Sequence, residues 1–131
     1  MGNGLLATYI PETMYCNTLL FVLKLKPNAQ LTYKTILGIL NSRLIAWYFR
    51  KRFQISDEDT FPQIMIRDIL QFPIPNVHQS EQVKVNGLVD EILKAKRKNI
   101  DADTSEAEQQ IDTLIYSLYG LSNKEIKIIE T

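Results

Sequence analysis

The sequence predicts a mixed α/β (α+β) fold: a small mixed sheet with one packed helix, followed by a C-terminal antiparallel helical hairpin. Strand-forming apolar runs lie in the first 75 residues, whereas residues 80–131 carry apolar stripes at the three- and four-residue spacing of helices. The length of 131 residues, with 45% apolar and 23% charged residues, fits one globular domain.

The expected strands cover residues 5–10, 14–25 and 61–66, with an extended stretch over residues 71–75. Pro11 separates the first two because proline cannot donate to a strand ladder. The run from Thr18 to Leu25 is almost continuously apolar, which is typical of a strand covered on both faces. Pro73 and Pro75 keep the residues before them out of the helical region.

A single helix is predicted over residues 32–52, from apolar residues at helical spacing. Gly38 within it indicates either the close approach of another backbone or a break between two shorter helices. Arg50, Lys51 and Arg52 lie at its C-terminal end, where positive charge complements the helix dipole.

The hairpin is predicted from two stripes joined by the polar residues 100–104, a link so short that the helices must be antiparallel neighbours. The first helix covers about residues 80–99. Ser105 and Glu108 form an expected capping box for the second helix, and Gly120 is its expected left-handed stop. Ser122 and Glu125 form a further capping box for a short last helix.

The net charge of zero hides an uneven distribution. Residues 1–52 hold seven basic residues against Glu12 alone, a charge of +6, and the remaining 8 basic and 14 acidic residues give −6. A basic half suits an anionic partner such as nucleic acid, although interleaved charges in the folded chain would cancel this effect.

Catalytic and membrane functions lack support in the sequence. His78 is the single histidine and the five glycines are scattered, and for Asp57, Glu58 and Asp59 a solvated acidic turn is expected rather than a metal site. No run is long enough to span a membrane, and the lone Cys16 fits a reducing cytosol. The sequence lacks the Asn-Pro-Pro-Tyr-type motif with which adenine methyltransferases hold a flipped base, and it lacks a glycine-rich site for the methyl donor. We therefore expect no catalysis and no bound cofactor in this chain.

A series of segments in a fixed order carries a resemblance to a known family. The series is Ile39-Leu40-Asn41-Ser42-Arg43-Leu44, Phe72-Pro73-Ile74-Pro75, Val89-Asp90-Glu91-Ile92-Leu93, residues 111–121 and Glu125-Ile126. From about Leu5 to Glu130 the chain resembles the TaqI-like C-terminal specificity domain of N6-adenine DNA methyltransferases and fused restriction-methylation enzymes. The DNA-specificity subunits of type I restriction systems have a similar layout and remain the near alternative.

The resemblance implies a DNA target-recognition module of a type II restriction-modification enzyme. Residues 1–78 would form the target-recognition part, with residues 79–131 packed on it as hairpin and terminal helix in one domain. The partners implied are double-stranded DNA and a covalently linked methyltransferase domain N-terminal to Met1, with no membrane, in a bacterial or archaeal cytoplasm. S-adenosylmethionine, and Mg²⁺ if DNA is also cut, would belong to the parent enzyme.

Candidate DNA contacts follow from side-chain chemistry, because the family has no universal base-contacting residues. Phosphate contacts are expected from Lys34, Arg43, Arg50, Lys51 and Arg52, for which a solvated or helix-capping charge is an equal alternative.

Asn41 and Ser42 are candidates for hydrogen bonds to DNA, against a structural role within the domain. Trp47, Tyr48 and Phe49 fit core packing better than base stacking. The competing function is a scaffold module that docks a methylase to partner proteins without DNA contact. The hairpin itself would be either a brace or a protein–protein surface.

Overall fold

The computed structural model describes residues 7–10, 24–52 and 69–131. The helices within these ranges are α1 (Tyr33–Leu40), α2 (Arg43–Arg52), α3 (Gln79–Lys98), α4 (Ser105–Leu118) and α5 (Asn123–Glu130). In this part of the chain no helix is both long and apolar enough to cross a bilayer.

The expected mixed sheet is wrong: the described residues are helical and contain no strand. The predicted strand residues 5–6, 14–23 and 61–66 lie outside the described ranges. Among the predicted strand residues that are described, Ala7 has its backbone N–H and C=O bonded by the Asn41 side chain rather than by a neighbouring strand. The surface that covers α1 is the helix α3, so the predicted packing of a helix on a sheet is replaced by helix on helix.

The single helix predicted over residues 32–52 is two helices that meet at Asn41-Ser42. Ser42 begins α2, because its hydroxyl oxygen accepts the N–H of Ile45 at 3.3 Å, while the hydroxyl donates to the Ile39 carbonyl at 2.6 Å. At the start of α1, the Thr32 hydroxyl accepts the Thr35 N–H in the same way. The chain therefore changes direction at a serine cap.

Gly38 lies away from this break, on the face of α1 that packs against α3 and α4. A methyl group built on Gly38 would lie 2.9 Å from Val85 Cγ1 and 3.6 Å from both Val89 Cγ2 and Ile111 Cγ2. Neither role predicted for this glycine is observed as stated: the break between two helices falls at Asn41-Ser42, and the groups that approach Gly38 closely are side chains of α3 and α4 rather than a backbone.

One apolar core joins α1 and α2 to α3 and α4. α1 packs on α3, α3 packs on α4, and α2 contacts α1, α4 and α5. The fully buried side chains Ile39, Ile45, Val85 and Ile115 come from α1, α2, α3 and α4 respectively. The stability of α1 and α2 therefore depends on the residues of α3 and α4.

The ends of the C-terminal helices follow the sequence closely, with one exception. Gly120, with φ of 67°, ends α4 in a Schellman motif, in which Leu121 N–H donates to the Tyr116 carbonyl. Ser122 and Glu125 form the predicted capping box of α5. The capping box predicted at Ser105 is absent, because Ser105 is already helical and its hydroxyl donates to Asp103 at 2.6 Å.

Candidate functional site

Lys34, a predicted phosphate contact, is paired within the chain. Its Nζ lies 2.5 Å from Asp90 Oδ1 on α3 and 5.9 Å from the centre of the Tyr9 ring. A phosphate would compete with this carboxylate and aromatic face for the ammonium group. Its observed contacts join residues 7–10, α1 and α3.

Asn41, a candidate for hydrogen bonding to DNA, has its amide engaged by the backbone of Ala7. Asn41 Oδ1 accepts the Ala7 N–H at 2.9 Å, and Asn41 Nδ2 donates to the Ala7 carbonyl at 2.8 Å. The side chain thus imitates the pairing of a neighbouring strand and holds residues 7–10 against the end of α1. Contact with a base edge would require both bonds to break.

Ser42 and Arg43 lie at the first turn of α2, where their roles diverge. Ser42 is buried and caps the helix, so its hydroxyl faces the protein. The Arg43 backbone N–H donates to Asp112 Oδ1 at 3.0 Å, whereas its guanidinium Nε lies 3.8 Å from Asp112 Oδ2. The Arg43 side chain is 65% exposed and remains accessible to an anionic partner.

Asp112 on α4 is a buried carboxylate that the sequence did not identify. It accepts one of the N–H groups at the start of α2 that no intrahelical carbonyl can reach, and so caps α2 from another helix. Burial raises the pKa of Asp112, opposed by the Arg43 N–H bond and the nearby guanidinium. This residue fixes the start of α2 on the hairpin.

The far end of α2 carries the remaining basic candidates. Arg50 is half-buried, and Lys51 and Arg52 are exposed. The preceding turn packs inward, because Phe49 is buried and the Tyr48 ring meets the Phe72 ring edge to face at 5.7 Å. Core packing thus accounts for Tyr48 and Phe49, as expected, and Trp47 is half-buried.

Phe72 attaches the proline-containing segment to this end of α2. Its ring is buried between Tyr48 and Phe49, with a centroid distance of 6.5 Å to Phe49. The Tyr119 hydroxyl donates to the Pro73 carbonyl, and burial raises the pKa of Tyr119 to about 12. The segment is therefore held from both sides as it leads toward α3.

Beyond that segment lies a cleft of about 610 Å³ at the start of α3. We call it the amide cleft, because most of its polar lining consists of side-chain amides. Its polar lining includes Gln30, Thr32, Asn76, Gln79, Gln82 and Asn86. Val77, His78 and Val83 complete it, so the cleft has no acidic, lysine or arginine side chain among the described residues.

The inner wall of the amide cleft is fixed by hydrogen bonds between α1 and α3. The hydroxyl oxygens of Thr32 and Thr35 both lie 2.9 Å from Asn86 Oδ1. Gln82 is only 5% exposed, accepts the Thr32 N–H at 3.0 Å and donates to the Gln30 carbonyl at 2.9 Å. This wall is rigid because its buried polar groups are partnered.

A signal for the amide cleft was present in the sequence. Gln82 occupies the position three residues before Val85 in the apolar stripe of α3, where the pattern calls for an apolar residue. A polar residue in a core position requires a buried hydrogen-bond partner. Gln82 finds partners in Gln30, Thr32 and Thr35, which lie 52, 50 and 47 positions away, and no local pattern indicates them.

The described residues contain no group of three His, Cys, Asp or Glu side chains arranged to hold a metal ion. Residues 1–74 match the family described as the TaqI-like C-terminal specificity domain.

The chain belongs to this family. The matched span of the TaqI-like specificity domain holds α1, α2 and the Phe72 segment, and α3 to α5 follow it. No solved structure matches the chain.

A curated relative from Methanocaldococcus jannaschii is 30% identical over 105 residues. Its name is "Putative type II restriction enzyme and methyltransferase RM.MjaORFECS2P". The match covers 76% of this chain and 9% of the relative, so this chain corresponds to a small part of that protein.

Proposed function

We propose that this chain supplies DNA target recognition to a restriction-modification enzyme. The observation that carries the proposal is the family match over residues 1–74, supported by a relative whose name combines a restriction enzyme with a methyltransferase. The parent enzyme is an S-adenosylmethionine-dependent adenine methyltransferase, alone or fused to a Mg²⁺-dependent endonuclease. Methyl transfer takes place in its covalently linked catalytic domain, while this chain selects and holds the duplex.

Within the chain, the phosphate contacts are assigned to α2. Lys34 lies on α1 and contacts Asp90, and Asn41 and Ser42 are used in structural hydrogen bonds. α2 carries the other four basic candidates: Arg43, with a side chain 65% exposed, is at its start, and Arg50, Lys51 and Arg52 are in its last turn. A duplex carries a phosphate every few ångströms, so cations at both ends of a ten-residue helix can contact one backbone.

The test is the salt dependence of DNA binding by the 131-residue chain. Fluorescence anisotropy with a labelled duplex should show weak binding that falls linearly with the logarithm of salt concentration, because phosphate contacts release counterions. Replacing Arg50 and Arg52 with alanine should lower the affinity at all sequences. It should also reduce the slope by about 2, because each neutralised phosphate contributes roughly 0.9.

A matched control removes two cations elsewhere. Lys124 and Lys127 are exposed on α5, and their double alanine variant should leave the slope unchanged. Thermal unfolding of each variant distinguishes weaker DNA binding from a damaged fold. DNA binding that is insensitive to salt, or equal in both double variants, would contradict the assignment. A chain that does not bind DNA at all would favour the scaffold function instead.

A further inference from the structure

We propose that the amide cleft recognises the base edges of an A·T pair in the DNA target, with Asn76 and Gln79 as the contacting side chains. This inference rests on the proposed function. It assigns sequence discrimination to the start of α3, a place separate from the cations of α2.

The chemistry of the amide cleft fits a base edge better than a phosphate. Its polar lining contains no acidic, lysine or arginine side chain, and it supplies both donors and acceptors. Side-chain amides pair in a bidentate manner with adenine N6 and N7, and an apolar side chain suits the thymine methyl group. Val83 lines the same cleft, four residues after Gln79 on α3, and is 63% exposed.

The side chains at the rim of the amide cleft are exposed, whereas those of its wall are engaged in hydrogen bonds within the chain. Asn76 and Gln79 on the rim are exposed. Gln82 and Asn86 on the wall hold Thr32 and Thr35 through hydrogen bonds. The rim amides therefore project from a surface that is itself held by hydrogen bonds.

The amide cleft also lies within reach of the proposed phosphate contacts. Phe72 packs on Phe49, one residue before the basic end of α2, with ring centroids 6.5 Å apart. Asn76 follows Phe72 by four residues, so their Cα atoms are separated by at most about 14 Å. One turn of B-DNA extends about 34 Å, so one duplex can contact the end of α2 and the amide cleft together.

The experiment is selection of duplexes from a randomised pool by the 131-residue chain. The wild-type chain should enrich a motif that contains an A·T pair. The Gln79→Ala variant should lose preference at that pair by roughly 5- to 150-fold, the discrimination of one bidentate contact, while its salt slope and its affinity for unselected DNA stay unchanged. The Asn76→Ala variant provides a second, independent test of the rim.

The matched control is Gln110→Ala, which removes an exposed amide of α4 that does not line the amide cleft. It should enrich the wild-type motif. An unchanged motif with both Gln79→Ala and Asn76→Ala, or a wild-type chain that binds DNA without enriching any motif, would overturn the inference and leave the proposed function standing. A chain with no DNA affinity would overturn both.

Discussion

At the scale of single residues, two helical glycines have opposite surroundings. Gly38 faces Val85 at a distance that leaves no room for a methyl group, whereas nothing lies within 4 Å of a methyl group built on Gly87. Alanine is favoured over glycine in a helix by about 1 kcal/mol. A Gly→Ala substitution inside a helix should therefore raise the free energy of unfolding unless tertiary contacts oppose it.

We expect Gly38→Ala to lower the free energy of unfolding by about 1 kcal/mol, because the overpacking cost exceeds the gain in helix propensity. Gly87→Ala, the matched exchange, should raise it by about 0.5–1 kcal/mol. Urea denaturation of both variants measures this. Val85→Ala should cost less in the Gly38→Ala background than alone, and additive effects would contradict the contact.

Asp112 is the second residue whose role is set by tertiary contact. Asp112→Ala removes the acceptor of the Arg43 N–H and should destabilise the fold by about 1–2 kcal/mol. Asp112→Asn keeps an oxygen acceptor and should retain most of that stability. Equal destabilisation in both variants, measured by urea denaturation, would argue against the cap.

The pH dependence of Asp112 has a defined sign. Burial raises its pKa in the folded chain above the ordinary value of 3.8, so the folded state binds the proton more tightly than the unfolded state. The proton-linked part of its contribution to stability, which is separate from the hydrogen bond to the Arg43 N–H, is therefore present below that ordinary value and is lost as pH rises through the folded pKa. The stability of Asp112→Asn relative to wild type should increase over this interval, and a constant difference would contradict it.

At the scale of elements, the junction of α1 and α2 decides how residues 7–10 are held. Asn41→Ala removes both hydrogen bonds to Ala7 but leaves the Ser42 cap in place. We expect faster hydrogen exchange at the Ala7 amide, with the exchange of α1 and α2 amides unchanged. Asn41→Asp keeps the acceptor for the Ala7 N–H and should protect that amide in part. Unchanged exchange at Ala7 in Asn41→Ala would show that other contacts hold the segment.

At the scale of the whole molecule, the family match ends before α3, yet the core does not. Ile39 and Ile45 are buried in the same cluster as Val85 and Ile115. A polypeptide of residues 1–78 would expose these core side chains, so we expect it to show no cooperative thermal transition by circular dichroism. Adding residues 79–131 as a second polypeptide should restore one. A cooperative transition of residues 1–78 alone would show that this part folds without the hairpin and would contradict the shared core.

Prediction from sequence mostly succeeded where structure depends on neighbouring residues. The helices after residue 78, the glycine stop at Gly120 and the Ser122–Glu125 box involve groups within five positions of one another, and all are observed. It was wrong for the Ser105–Glu108 capping box, which is absent, and for the single helix over residues 32–52, which is two helices. It failed for the sheet, because strand formers become a strand only when a ladder partner is present, and the described residues supply helices instead.

The candidate site was predicted only in part, because its contacts join residues that are distant in the sequence. The basic and polar positions of α1 and α2 were identified, but a sequence does not state which of them have partners. Lys34 meets Asp90, and Asn41 meets Ala7, at separations of 56 and 34 positions.

The order of its motifs determined the family of this protein, and its local patterns determined the helices from α3 onward. Tertiary structure alone decided that Asp112 of α4 caps the start of α2, that Val85 packs against Gly38, and that the amides of α3 line a cleft with Thr32. Periodicity and capping arise from short-range hydrogen bonds along the chain. The division of polar groups between internal partners and the solvent-exposed surface arises only when distant segments pack.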